Sequence, residues 1–341
     1  MSTFRLVRVV AGAALVALLS VSWARAEEAA EAADAEAAAA AAPPADEKGP
    51  PLPFHTLEGY GGGAITPMAY LINPGPECCP FGKPAVGMTY INAGQKNLDA
   101  LTLTETFYQR VEFGIGIDRL GLGTLPMAIR DATVSGANPT GIDIQHSDVW
   151  LYNFNLRFLL VKEDDYKLGD DFGNPAITAG VQFKVNDGIE SISNHLGPTL
   201  PSIGYARSNG EDFTLTATKT FPKLLGRPLI LTAGLRVSEA ADIGFLGFGD
   251  TYRATFEENV VFLPTDRLLV AYEFRQNRDP YGTVPDGKGG FLIGPEDNWQ
   301  TFDASLILSK HATLVAGWGL LGNLANAKAN DTWFMQLKYE F

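Results

Sequence analysis

Residues 333–341 read WFMQLKYEF. Trp333, Met335, Leu337, Tyr339 and Phe341 share one parity, and Phe334, Gln336, Lys338 and Glu340 the other. Successive side chains of a strand point to opposite faces, so this stretch is a strand with one apolar face and one mainly polar face. Its large apolar groups need a covering layer, either protein or lipid. The rest of the chain decides which.

The same alternation recurs upstream. Trp150 to Leu160, Ile177 to Val185, Leu229 to Val237, Tyr252 to Phe256, Leu268 to Phe274 and Phe302 to Leu308 all place apolar residues on one parity and polar ones on the other. The pattern predicts twelve strands: 84–92, 98–108, 110–119, 147–161, 175–185, 211–221, 228–237, 251–262, 267–276, 299–308, 312–320 and 330–341. No amphipathic helix is expected between them. Short links (Gln109, 263–266, 309–311) alternate with long ones (120–146, 186–210, 238–250, 277–298). One rim of short turns opposite one rim of long loops is the asymmetry of a transmembrane β-barrel, and strands of about 10 residues suit a tilted crossing. Aromatics gather toward strand ends (Tyr108, Trp150, Tyr252, Tyr272, Trp299, Trp333, Tyr339) as interfacial girdles require. The expected fold is all-β: a transmembrane antiparallel up-and-down barrel of twelve strands, with fourteen as the alternative. Because an open strand edge is unsatisfied in hydrocarbon, the C-terminal strand must close it.

The flanking segments agree. Residues 1–26 carry Arg5 and Arg8 before an apolar run and end in Ala24-Arg25-Ala26, the pattern of a cleaved secretory signal peptide. Residues 27–52 are Ala-, Pro- and acid-rich without an aromatic or β-branched side chain, and are expected to be a disordered tether with a periplasmic partner as one conceivable use. Residues 53–83 form a Gly-rich segment, and 84–341 the barrel. The chain's formal net charge is −13; without the three arginines of 1–26 it has 23 bases against 39 acids, or −16. Nucleic acid is not an expected partner, since its backbone requires the opposite sign.

Certain stretches resemble a proteobacterial family known as domain of unknown function 3034: GYGGGAITPMAY (59–70), FYQRVEFGIGI (107–117), ITAGVQFKVND (177–187), DFTLTATKTF (212–221), LRVSEAADIGFLGFGD (235–250) and LLVAYEFRQN (268–277). The ECCP stretch around Cys78 and Cys79 and the long tether depart from that pattern. The resemblance implies a barrel in the outer membrane of a Gram-negative cell, and supplies neither a reaction nor site residues. Separately, Leu337, Tyr339 and Phe341 resemble the terminal signal by which the barrel-assembly machinery recognises outer-membrane proteins.

The glycines of GGGAITPM (61–68) fit a close backbone approach better than a regular central strand. The segment is expected either to enter the barrel mouth or lumen, or to add an irregular strand. Catalysis is not expected: Ser191, Ser193 and His195 are sequence neighbours, which makes no triad by itself. His55, His146 and His311 are scattered, and Asp164, Asp165, Asp170 and Asp171 lack the spacing of a calcium loop, so neither a metal nor a cofactor is expected. Cys78 and Cys79 remain open between free thiols and a local disulfide. The polar parity carries the candidate lumen network: Glu112, Asp118, Arg157, Lys184, Arg236, Arg253, Glu257, Glu273, Arg275, Asp303, Lys338 and Glu340. Neighbouring strands bring such groups within pairing distance, so they either brace the interior or line a narrow polar path for a small solute. A channel or binding barrel surrounded by outer-membrane lipid is the favoured reading. A plugged anchoring barrel and a lipid-modifying enzyme are its rivals.

Overall fold

The computed structural model describes residues 55–76, 78–166 and 173–341; the expected signal peptide and tether lie outside the described residues. Twelve strands form a closed antiparallel barrel: β1 (Ala85–Ala93), β2 (Lys96–Phe107), β3 (Val111–Gly121), β4 (Asp148–Val161), β5 (Ala176–Asp187), β6 (Asn209–Phe221), β7 (Leu229–Ala240), β8 (Phe248–Phe262), β9 (Leu268–Arg275), β10 (Trp299–Ile307), β11 (Ala312–Leu320) and β12 (Thr332–Glu340). Each strand pairs with its sequence neighbours, and β12 closes the ring on β1 in continuous register from Ala85↔Glu340 to Asn92↔Trp333. The expected count of twelve holds, and no strand edge is left open in the wall.

The period-2 alternation divides inside from outside. On β12 Thr332, Phe334, Gln336, Lys338 and Glu340 are buried, while Trp333, Met335, Leu337 and Tyr339 are exposed. Met88, Leu215, Leu235, Phe302 and Trp318 continue that exposed face around the barrel. An apolar belt of this extent is the surface that lipid covers. Charged clusters bound it. Arg119 pairs with Asp99 and Asp148 at the long-loop rim, and Lys219 with Glu163 and Asp164 at the other. No helix among the described residues is long and apolar enough to cross a membrane.

Two expectations about the connections are corrected. The alternation of lengths is imperfect: β1 and β2 join by a tight turn at the long-loop rim, and the polar stretch between β4 and β5 puts a long link at the short-turn rim. Helices also occur in the long loops, α1 (Leu125–Ala132), α2 (Ile189–Leu196) and α3 (Thr199–Ile203). At eight residues or fewer they are too short to be stable alone, and packing of Leu125, Ile129, Ile189, Ile192 and Leu200 against one another's neighbourhood holds them. The two longer ones do place their apolar residues on one face, but over only about two turns, too short a pattern to stand out among the strands.

Candidate functional site: a lumen closed by residues 55–72

The Gly-rich segment occupies the interior and adds no strand to the wall. Residues 55–69 are buried, and two antiparallel bridges, His55↔Gly61 and Gly62↔Pro67, fold the segment back on itself. It leaves the lumen at the short-turn rim, where Phe81 bridges Phe107 before β1 begins. Close approach to the wall depends on missing side chains. Gly114 and Gly116 of β3 lie against the Gly59 and Glu58 carbonyls, and a methyl group at Gly114 would overlap the Gly59 oxygen. Gly59 itself has φ +86, a conformation that favours glycine.

Two wall carboxylates, the segment's own Glu58 and four wall bases fasten the segment. Glu273 of β9 accepts the backbone N–H groups of Ala64 (2.6 Å), Ile65 (3.1 Å) and Thr66 (2.9 Å), and the Thr66 hydroxyl. Glu112 of β3 accepts from Gly61 and Ile72 and pairs with Arg157 at 2.8 Å. Arg157 in turn donates to the carbonyls of Gly61 and Met68. At the centre Glu58, carried by the segment, meets Lys184 (2.5 Å), Arg275 (2.9 Å) and Arg236 (3.3 Å). Asp212 pairs with Lys184 and Arg236, and Glu257 with Arg236 and Arg275, so three acids balance three bases in one buried cluster. Tyr60 donates its hydroxyl to Glu58 and accepts from Arg236.

Of the twelve candidate lumen residues, the structure gathers Lys184, Arg236, Glu257 and Arg275 into this cluster, and Glu112, Arg157 and Glu273 into direct contact with the segment. Asp118 accepts from Asn153 nearby, Lys338 pairs with Glu340 on β12, and Asp303 is buried on β10 beside Thr301 and Glu273. Arg253 keeps the inward parity of β8 nearer the long-loop rim, where it donates to the Asp279 carbonyl and lines a pocket with Arg236 and Arg275, outside the ion-pair cluster. Sequence reasoning missed Glu58 and Asp212. Asp212 shares the inward parity of Thr214, Thr216 and Thr218, so the signal was present; Glu58 belongs to no periodic element and had none. Leu337, Tyr339 and Phe341 project outward, the last two edge to face.

Above the segment, the loop Ala241–Gly247 folds into the barrel and is wholly buried. Lys184 donates to the Ile243 carbonyl as well as to Glu58, and Asn186 holds the Gly244 and Phe245 carbonyls at 2.8 Å each. Asp242 (φ 44) and Ile243 (φ 56) are both left-handed, unusual for a β-branched residue and sustained here by those bonds. His195 binds the Ser191 carbonyl on its own helix and not a serine hydroxyl. Cys78 and Cys79 are free, exposed thiols with sulfurs 3.3 Å apart. No group of His, Cys, Asp and Glu suited to a metal occurs among the described residues.

Residues 53–338 match the family described as "Protein of unknown function (DUF3034)". The chain belongs to the DUF3034 family. No curated protein matches its sequence. Among solved structures, this DUF3034 barrel is similar to the KdgM porin (9% identity, TM-score 0.42, covering 75% of this chain and 99% of that one). It is also similar to the NanC porin (10%, 0.40, 76% and 98%) and to the COG4313 outer membrane channel from Pseudomonas putida F1 (12%, 0.38, 79% and 100%).

Proposed function

We propose that this protein is an outer-membrane barrel that binds a small solute and is held shut at rest by its own residues 55–72. The observation that supports this is the placement of Glu58: the carboxylate joining Lys184, Arg236 and Arg275 comes from the lumenal segment and not from the wall. Withdrawing the segment leaves three cations facing Asp212 and Glu257, so the closed arrangement is favoured electrostatically and the open one carries a local positive surplus. The long-loop rim faces outward and the short-turn rim faces the periplasm, as in other barrels of this kind.

Planar-bilayer recording tests the reading. The wild-type protein should be silent, and Glu58→Ala combined with Glu273→Gln, which removes two fastenings of the segment, should open stepwise conductance that favours anions. Equal, steady conductance from both proteins would overturn the closed resting state. Silence from both, with the barrel folded, would favour the rival reading of an anchoring barrel, in which the segment never leaves.

A further inference from the structure

A partly open cavity of about 230 Å³ lies above the closed lumen, between α1, α2, α3 and the hairpin formed by Val284–Pro285 and Phe291–Ile293. Leu125, Ile129, Ile192, Leu200, Leu246 and Leu292 supply buried walls. Thr133 and Thr199 are its only polar lining side chains among the described residues, and both hydroxyls donate to backbone carbonyls, of Ile129 and Leu196. A water needs two to four polar partners, and these walls present almost none; an apolar cavity of about 150 Å³ is already large enough to take up benzene. Phe245 of the inward loop forms its floor. The same ring lines a smaller apolar void of about 30 Å³ beneath, which Leu57, Ala64 and Ile65 at the tip of the lumenal segment also touch. An apolar column therefore descends from the loop cap to the segment, through a barrel whose inner wall is mostly polar or charged. Two surface ion pairs, Lys288 with Asp131 and Arg130 with Asp143, fasten the roof.

We infer that this cavity is a binding site for a compact apolar molecule, of single-ring aromatic or short aliphatic type. The inference rests on the closed-barrel reading and names its solute class: the molecule enters beneath the helical cap and bears on Phe245, whose neighbours on the inward loop share Lys184 with Glu58. Shape and polarity select it, since the cavity offers no charge and no free donor.

Toluene is the probe, added to the full chain in lipid nanodiscs and followed by methyl NMR. Saturable shifts are expected at Ile129, Ile192, Leu200 and Leu292, with Leu215 and Leu235 on the lipid face changing only in proportion to added toluene. Ile192→Trp fills the cavity and should weaken saturation at least tenfold; Leu200→Phe, a smaller change, gives a second variant, and heat-modifiable mobility on gels confirms that each barrel is folded. Equal, non-saturating shifts on both sets of methyls, or unchanged saturation in both folded variants, would overturn the inference. So would binding that appears only after lipid extraction, which would assign the cavity to a membrane acyl chain. Conductance is read separately, so absent toluene binding beside a silent wild type and an open double variant rejects the solute class alone.

Discussion

The Glu58 carboxylate is fully buried among three cations, and its value to the structure lies in what its removal leaves behind. Glu58→Gln keeps the shape and deletes the charge, stranding one positive charge among Lys184, Arg236 and Arg275. Breaking a buried pair in this way costs about 3–5 kcal/mol, less where lumenal water can reach. A lower unfolding midpoint is therefore expected in heat-modifiability gels, and an unchanged midpoint would count against the cluster as a fastening. Gly114 poses the opposite case, a steric one. Gly114→Ala should leave the strand pairing intact while pushing Gly59 off β3, seen as faster hydrogen exchange confined to residues 56–72. Uniform protection in the variant would show that the contact is not tight. The FGIGI pattern held this information: glycines on the inward parity of a barrel strand mark where another backbone approaches. Glu58 had no such mark, because its partners come from β5, β7 and β9 and are assembled only by closure of the ring.

At the scale of elements, the inward loop is the piece whose conformation depends on pH. Burial pushes the Asp242 carboxyl up to about 7, with Asp279 adding to the shift and the Ala325 N–H and Lys96 opposing it. Burial and the facing Asp242 likewise hold Glu296 well above the usual carboxylate range, and Glu296 accepts the Asp242 N–H. An unfolded aspartate titrates near about 4. Between these values the folded loop holds a proton that the open one does not. Its stabilisation is thus complete below about pH 4 and is lost as the pH rises through about 7. Hydrogen exchange of residues 241–247, corrected for intrinsic rate, should be faster at pH 8 than at pH 5.5, and Asp242→Asn should flatten the difference. A pH-independent wild-type loop would show that Asp242 is not the group that responds. From sequence the loop was legible only as part of the long link 238–250, since its left-handed Asp242 and Ile243 are imposed by Lys184 and Asn186 across the lumen.

For the molecule as a whole, the division between lipid face and lumen governs stability. Leu235 sits midway along β7 and faces outward, while Arg236 beside it is buried in the charge cluster. Leu235→Arg should destabilise the barrel in liposomes by about 2–4 kcal/mol, the cost of a cation near mid-depth on the lipid face. Urea titration measures it, and a change of less than about 0.5 kcal/mol would mean that this face is not in hydrocarbon. The residue one position along already carries a charge without harm, because its face, and not its depth, determines its surroundings.

The alternation of apolar and polar residues is a local property with a period of two, so the sequence alone was sufficient for twelve strands, their inner and outer faces, and the need for β12 to close on β1. It also marked residues 61–68 as unsuited to a regular central strand. What fills the lumen was decided only in three dimensions. Glu58, Glu273 and Arg157 bind partners that lie far away along the chain, and the helices of the cap are stable only against one another. Parity put Glu273 and Arg157 on the inner face, but which partners they bind is not written in it. Strand faces follow from neighbours in sequence, whereas the closed lumen and the apolar cavity above it follow from which neighbours the ring brings together.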